Sequence, residues 1–332
     1  MPHYYRITQG HGQGAELLMN AEAAFMQGNF SDAQILLEQT YSTIASNGQH
    51  NISLCCDFLA ARLSFFQESV TFVKNPEVKR KELLSLHNMM WLNIFDSTYA
   101  YYYALIRMPE KIPALFKDHM LSTVSFLSPC RPMMEMIENQ VFLSQKMYAK
   151  VIGRSETLLP FCEKMHYELV SLHVQIQTAA AYAMLGKHHD ARQLLLKALG
   201  HAMPDGFLIP FVENYNYIKD VLGSINSITP EPFTDRILSL GSVYEQHCLR
   251  LSSRNSRPEI LNMLNSREAE IAALITDRLS NREIAERLFL SEGTVKQYIN
   301  QIYSKLMING DTRTKRKPVS YTHLTLPTNS LV

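Results

Sequence analysis

The residues best suited to chemistry form a polar set near the end of the chain. Between residues 292 and 305, apolar side chains recur at helical spacing and leave a second face to six polar residues: Glu292, Thr294, Lys296, Gln297, Asn300 and Lys305. Amide and ammonium groups on one helix face can hydrogen-bond to the base edges and phosphates of duplex DNA. Because a polar, partly basic helix of this kind fits the major groove, we predict that this segment is a recognition helix.

Two further helices are predicted to hold that helix in place. Each of the three begins after a side chain that can accept hydrogen bonds from the first turn. The predicted caps are Ser266, Ser280 with Asn281, and Ser291, and Glu270 and Thr294 stand in the turns that follow. One apolar face per helix predicts a shared core, formed by Ile271, Leu274, Ile275, Leu279, Ile284, Ala285, Leu288, Leu290, Val295, Ile299, Ile302 and Leu306.

The charge of the chain is unevenly distributed. The net charge is only +1, but residues 250–317 contain thirteen basic and eight acidic residues, so this stretch carries +5 and the remainder −4. A local basic excess is what a nucleic-acid surface requires, although a solvated charged face would look the same by charge alone.

Upstream, from Ala15 to about Arg250, the apolar pattern is helical almost throughout, which predicts an all-α fold. The segments that begin at Ala21 and Ala179 resemble each other closely, with Gly28 aligned to Gly186. Each predicts two antiparallel helices joined at the glycine. Such hairpins bury their apolar faces by stacking, so we expect tetratricopeptide-like repeats, with a degenerate third copy around Gly153.

Two residue groups suggest a ligand or metal site but are more simply explained by structure. The aromatic cluster of residues 91–103 favours packing between hairpins over a ligand cage. His188 and His189 lack carboxylate or cysteine neighbours at ligand spacing, so we expect a surface turn and no metal.

Several protein classes are disfavoured. The five cysteines form no C-x-x-C pair, no apolar run has the length of a membrane helix, and the N-terminus lacks a signal-peptide pattern. No nucleophile with a base, carboxylate pair or metal set can be assembled, and no phosphate-binding loop occurs. We therefore expect a cytoplasmic protein that is not an enzyme, does not contact membranes and has no cofactor.

The C-terminal segment resembles the LuxR-type helix-turn-helix module. The matching residues are Ser266-Arg267-Glu268, Leu279-Ser280-Asn281, Glu283-Ile284-Ala285, Leu290-Ser291, Thr294-Val295-Lys296 and Lys305-Leu306. The resemblance implies base contacts from Lys296, Gln297 and Asn300, with Lys296 donating to guanine and an amide pairing with adenine. It also implies phosphate contacts from Thr294, Tyr298 and Lys305.

The order of the domains resembles MalT-like regulators, in which helical repeats precede such a module. Those regulators usually carry an ATPase module before the repeats, so we interpret this chain as a fragment. The expected domains are an N-terminal extension (1–14), the repeats (15–203), connecting helices and a linker that includes Ser252 onward (204–257), the module (258–317) and a tail (318–332).

The chain departs from the family pattern in three places. Arg278 and Met307 stand where the family usually has glycine, which predicts strained helix ends. After residue 317 the family continues into a fourth helix for dimer contacts, whereas this chain has an uncharged segment that begins with Pro318. We interpret residues 318–332 as non-native and the module as lacking its last helix.

The leading hypothesis is a transcription regulator that binds double-stranded DNA as a homodimer, with the repeats receiving a small-molecule or protein effector. The alternative is an interaction scaffold whose repeats bind a partner and whose truncated module does not bind DNA specifically.

Overall fold

The computed structural model describes residues 12–45, 49–67, 76–126, 129–255, 264–276 and 279–305. The fold is all-α, as predicted, and no β-strand occurs within these ranges. The chain divides into an N-terminal unit, Met1–Ser252, and a C-terminal unit, Ser253–Val332. None of the helices in the described ranges is both long and apolar enough to cross a bilayer.

The described part of the N-terminal unit contains thirteen α-helices. They are α1 (Ala15–Met26), α2 (Phe30–Ile44), α3 (His50–Leu63), α4 (Pro76–Ser85), α5 (Met89–Leu105), α6 (Ala114–Lys117), α7 (Arg131–Ser144), α8 (Tyr148–Met165), α9 (Glu168–Met184), α10 (His188–Ala202), α11 (Ile209–Glu213), α12 (Tyr215–Ile228) and α13 (Pro232–Asn255). Since α13 continues to Asn255, the prediction that a linker begins at Ser252 is wrong for its first four residues.

The helices pack as a stack of hairpins. Helices α1, α3, α5, α7 and α9 each contact the next in that series, while α2, α4, α8 and α10 pack as their hairpin partners. The two similar sequence segments are both helical hairpins, and Ala21 and Ala179 occupy equivalent fully buried positions. Small residues at these positions let the paired helices approach closely.

One turn geometry recurs between the hairpin helices. Gly28 and Gly186 have φ of 79° and 74°, and Lys146 and His166 adopt the same left-handed region at 62° and 56°. A glycine satisfies this geometry without strain, which explains why Gly28 and Gly186 align in the two similar segments. The expected third hairpin around Gly153 is wrong in register, because Gly153 lies inside the single helix α8 and the turn falls at Lys146.

The C-terminal part of the N-terminal unit packs back onto its first helices. The backbone N–H of Leu208 donates to the carbonyl of Met26 at 2.8 Å, and α11 packs against α1 and α9. All five residues of α11 are buried. Between the central helices, Gln140 on α7 and Gln177 on α9 are fully buried, and Gln177 Nε2 donates to Gln140 Oε1 at 3.0 Å.

A charged pair lies inside this core. Arg62 Nε donates to Glu213 Oε1 at 2.7 Å, and its Nη2 donates to Oε2 at 3.1 Å. The Tyr101 hydroxyl donates to the same carboxylate at 2.8 Å, and the guanidinium lies 4.8 Å from the centre of the Phe25 ring. The carboxylates of Glu213 and Glu22 raise the pKa of Arg62 despite its burial. The pair therefore joins α3 to α11, although Arg62 and Glu213 are 151 residues apart in the sequence.

The aromatic residues of α5 pack as predicted. Phe95 and Tyr99 belong to a cluster with Leu54 and Leu83, while Tyr101 and Tyr102 belong to the main core. Trp91 is half-buried and donates its indole N–H to Asn51 Oδ1 at 2.6 Å. His188 and His189 are exposed as expected, but they form the start of helix α10 and not the predicted turn.

Candidate nucleic-acid interface

The described part of the C-terminal unit consists of three helices around a small core. They are α14 (Ser266–Thr276), α15 (Asn281–Leu288) and α16 (Glu292–Lys305). Every predicted core residue in the described ranges belongs to this cluster, with Leu279 and Leu290 only partly buried. Leu306 lies outside the described residues, as do Arg278 and Met307. Sequence reasoning missed three buried members, Leu264, Ala272 and Tyr303.

Two of the three predicted helix caps are confirmed. Ser280 and Glu283 form a reciprocal capping box, in which each side chain accepts from the other residue's backbone N–H at 3.2 and 2.6 Å. Hydrogen bonding to the side chain of Ser280, and then to its backbone N–H, lowers the pKa of Glu283. At α16, Ser291 Oγ accepts from the backbone N–H of Thr294 at 3.0 Å. The start of the predicted recognition helix is therefore fixed by its own sequence.

The third predicted cap, Ser266, is wrong by one residue. Asn265 Oδ1 accepts from the backbone N–H of Glu268 at 2.8 Å, and Glu268 Oε2 accepts from that of Asn265 at 2.7 Å. The spacing of a capping residue and a glutamate three positions later, Asn265 to Glu268, is the signal that sequence reasoning passed over. Ser266 is the first residue of α14, and Glu270 instead pairs with Arg267 at 2.8 Å.

Side-chain bonds between helices complete the scaffold. Arg267 Nη2 donates to the carbonyl of Leu288, the last residue of α15, at 2.7 Å. Lys305 Nζ, on the last residue of α16, lies 2.8 and 2.6 Å from the two oxygens of Glu268. Both bonds use residues of the Ser266-Arg267-Glu268 motif, so this motif orients α15 and α16.

The predicted base-contacting residues share one exposed face of α16. Lys296, Gln297 and Asn300 are exposed, and they are spaced so that they project from the side opposite Val295 and Ile299, which are buried. Lys296 forms no ion pair with any residue that the structure describes. This face therefore offers an ammonium group and two amides to a partner molecule.

The predicted phosphate-contacting residues lie in more varied surroundings. Thr294 is half-buried, and its hydroxyl is 2.8 Å from Ser291 Oγ. Tyr298 is half-buried against the small core. Lys305 remains partly exposed although its ammonium group is bound to Glu268. The structure thus places Thr294 and Lys305 at opposite ends of α16.

A capped second helix leads through a short turn to a third helix with a polar outer face. This is the arrangement of a helix-turn-helix DNA-binding unit. Residues 262–316 match the family described as "Bacterial regulatory proteins, luxR family". These residues belong to a LuxR-family DNA-binding domain. The regular elements in the described part of the N-terminal unit are all helices, which is consistent with a MalT-like arrangement.

Several proteins similar to the chain are named as transcriptional regulators. It is 40% identical over 118 residues to "Transcriptional regulatory protein LnrK" of Bacillus subtilis (strain 168), which is 35% of the chain and 53% of that relative. It is 43% identical over 53 residues to "Transcriptional regulatory protein DegU" of Brevibacillus brevis, covering 16% of the chain and 22% of the relative. It is 42% identical over 65 residues to "Transcriptional regulatory protein LiaR" of Bacillus subtilis (strain 168), covering 20% of the chain and 30% of the relative.

The chain therefore spans about half the length of the first of these relatives and less than a third of the other two. All three are named as regulators of transcription and not as enzymes. No solved structure matches the chain with comparable significance.

Proposed function

We propose that the chain is a transcription regulator that binds double-stranded DNA in a sequence-specific manner, with α16 in the major groove. The observation that carries the proposal is the exposed face of Lys296, Gln297 and Asn300 on a helix whose opposite face is buried. Base edges in the major groove present distinct donor and acceptor patterns, and these three side chains can read them.

Each polar residue of α16 has a proposed role. Lys296 donates to O6 or N7 of guanine, and Gln297 or Asn300 forms a paired contact with adenine. Thr294 and Tyr298 lie beside phosphates and supply affinity without sequence information. Lys305 contacts a phosphate with an ammonium hydrogen that Glu268 does not use, because an ammonium group has three donors.

A single unit of this size buries little surface on DNA. We propose that the chain acts as a homodimer on two half-sites about one helical turn apart, which is how helix-turn-helix proteins gain affinity. In this proposal the N-terminal unit receives the signal, which is a small molecule or a partner protein.

The scaffold alternative has weaker support from the fold. A hairpin stack that binds a peptide does so on an open concave surface along its helices. Here α11 packs against α1 and α9, and all five of its residues are buried. For this reason we do not propose peptide binding along these helices.

The proposal is tested by selecting duplexes from a random pool with the purified full chain and measuring affinity for an enriched duplex over a salt series. Replacing Lys296 with alanine should raise the Kd by about five- to 150-fold, equivalent to roughly 1–3 kcal/mol. The matched control is Lys197→Ala, which removes the same charge from an exposed position on α10. Its effect should be no more than about twofold.

The outcomes separate the hypotheses. Enrichment of one sequence, lost only in Lys296→Ala, supports sequence-specific binding by α16. Binding that falls equally in both variants would show that only charge matters. Absence of salt-dependent binding by the wild-type chain contradicts the proposal.

A further inference from the structure

Three basic side chains of the N-terminal unit surround one aromatic ring. Phe142 on α7 is only 4% exposed. The guanidinium of Arg154 lies 4.7 Å from the centre of its ring, and the ammonium group of Lys150 lies 5.2 Å from it. The ring centre of His119, from the segment between α6 and α7, lies 4.7 Å from the same point. Because like charges repel, gathering basic groups in this way is costly unless acidic groups balance them.

Acidic groups of the chain balance this charge only in part. The Glu138 side chain is 1% exposed, and its Oε2 accepts a hydrogen bond from Arg154 Nη2. Lys150 is exposed and forms no ion pair with any residue of the described ranges.

The charges around His119 disfavour its protonation. Burial, and then the charge of Lys150, lowers the pKa of His119. Glu138 raises this pKa, but by less than Lys150 lowers it. Arg154 on α8 lowers it and Asp118, next to His119 in the chain, raises it, and the effect of Arg154 is the larger of the two. His119 therefore lies in a positive potential.

Two buried polar atoms of this cluster face each other without forming a hydrogen bond. His119 Nδ1 lies 3.9 Å from Glu138 Oε1, which is too far, and neither atom has another partner among the described residues. Buried polar atoms in folded proteins are nearly always paired. Both nitrogens of a protonated imidazole are donors. After a small movement of the ring, protonated His119 could therefore donate to Glu138 with Nδ1 and to a bound molecule with Nε2.

We propose that Lys150 and His119 bind a small oxyanion, and that His119 takes up a proton from solvent when the anion binds. The negative charge of the anion offsets the charges of Lys150 and Arg154 that oppose this protonation. The ammonium group of Lys150 and Nε2–H of His119 donate charge-assisted hydrogen bonds to the anion. His119 is 19% exposed and Lys150 is exposed, so a small anion can reach both.

The site gives the N-terminal unit a ligand of stated chemistry. Its role as a signal rests on the proposed function, in which this unit receives a small molecule. Binding of the anion does not depend on that function.

Sulfate is the principal probe, because it remains a dianion between pH 5.5 and 8 and any pH dependence must then come from the protein. Its affinity for the full chain is measured by titration calorimetry, with chloride used to keep the ionic strength constant. If binding requires protonated His119, the Kd for sulfate should fall by up to about tenfold for each unit that the pH decreases. A parallel titration with acetate distinguishes a carboxylate ligand from a tetrahedral anion.

The titration compares the wild-type chain with Lys150→Gln, His119→Gln and the matched control Lys164→Gln. Lys164 is exposed on the same helix as Lys150, about 21 Å away along its axis. Lys296→Ala is included because the C-terminal unit has basic groups that could also attract sulfate. Urea unfolding reports whether each variant is folded.

Lys150→Gln should raise the Kd for sulfate at pH 6 by about fivefold, and His119→Gln should remove the pH dependence. Lys164→Gln and Lys296→Ala should bind like wild type. Absence of sulfate and acetate binding overturns the inference, and so does binding that is equal in wild type, Lys150→Gln and His119→Gln. Binding lost only in Lys296→Ala also overturns it, because the anion then binds to the C-terminal unit. The affinity for duplex DNA is measured separately and tests the proposed function itself.

Discussion

Lys305 Nζ lies 2.6 Å from Glu268 Oε2, so the last residue of α16 is bound to the first turn of α14. The Glu268 side chain is only 2% exposed and also accepts the backbone N–H of Asn265. One carboxylate therefore caps the first helix and fixes the far end of the helix that we expect to contact DNA. A phosphate beside Lys305 would share its ammonium group with this carboxylate.

The first prediction concerns Glu268→Gln, which retains an oxygen for the Asn265 N–H but loses the charge that binds Lys305. We expect the C-terminal unit to lose about 1–3 kcal/mol of stability, the usual range for a hydrogen bond to a charged group. Faster hydrogen exchange in residues 264–305 of the full chain would report the loss. Arg282→Gln, which breaks the exposed pair with Glu286, is the control and should change exchange little.

The same carboxylate predicts a pH dependence. Lys305, followed by the Asn265 N–H, lowers the pKa of Glu268 below its usual 4.5. The contribution of the Glu268 carboxylate to the free energy of unfolding is thus complete above pH 4.5 and is lost as the pH falls through the lowered pKa. The difference in exchange between wild type and Glu268→Gln should therefore shrink as the pH falls below 4.5. A difference that stays constant would show that the charge of Glu268 does not contribute.

The second prediction concerns the buried Arg62–Glu213 pair. Arg62→Met alone should destabilise the N-terminal unit by about 3–5 kcal/mol, because it leaves the buried Glu213 without its counter-charge, whereas Glu213→Gln should cost less because Arg62 keeps Glu22 at 3.5 Å. The double variant Arg62→Met, Glu213→Gln still leaves the Glu22 carboxylate, which lies 3.5 Å from Arg62, but it should lose clearly less than the sum of the two because the Arg62–Glu213 interaction is lost only once. Urea unfolding of the four proteins provides the thermodynamic cycle. Additive losses would mean that the two charges do not interact.

The third prediction concerns His173 on α9, which is 2% exposed. Burial, and then the nearby Arg62 guanidinium, lowers the pKa of His173 well below its usual 6.5. Below pH 6.5 the unfolded chain binds a proton that the folded chain does not. Stability should therefore fall with decreasing pH by up to about 1.4 kcal/mol per pH unit.

His173→Gln should remove this part of the slope when urea unfolding is measured between pH 5 and 8. The pKa of His119 is also lowered, mainly by burial, so the remaining slope should decrease again in the double variant His119→Gln, His173→Gln. A slope that is the same in wild type and His173→Gln would show that His173 is protonated in the folded chain.

The sequence predicted what depends on local spacing. The core positions of α14, α15 and α16 recur at helical intervals, and the caps Ser280 and Ser291 directly precede their helices, so no tertiary information was needed. The error at Ser266 arose because two adjacent residues can both cap a helix. The glutamate three residues after Asn265 distinguishes them.

Long-range relationships could not be predicted. Arg62 and Glu213 are 151 residues apart, and no periodicity connects them. The bond between Glu268 and Lys305 could not be predicted either. Both residues belong to the recognised pattern, but their contact depends on how α14 and α16 cross. The predicted contacts of the α16 side chains with bases and phosphates remain predictions, because a base contact depends on how the helix enters the groove.

The last prediction concerns Phe289, which ends α15 in the left-handed region with φ of 54° and is 96% exposed. Glycine is the usual residue at such a position, because any Cβ atom there is strained. Phe289→Gly should therefore stabilise the C-terminal unit by about 0.5–1 kcal/mol after the greater backbone entropy of glycine is deducted.

Phe289→Ala is the matched control for this effect. It removes the ring but keeps the Cβ atom and hence the strain, so its stability should remain within about 0.5 kcal/mol of wild type. Hydrogen exchange in α15 and α16 of the full chain should be slowest in Phe289→Gly and similar in the other two proteins. If Phe289→Gly instead exchanges faster than Phe289→Ala, backbone entropy outweighs strain at this turn. A parallel loss of stability in both variants would show that the phenyl ring makes a stabilising contact.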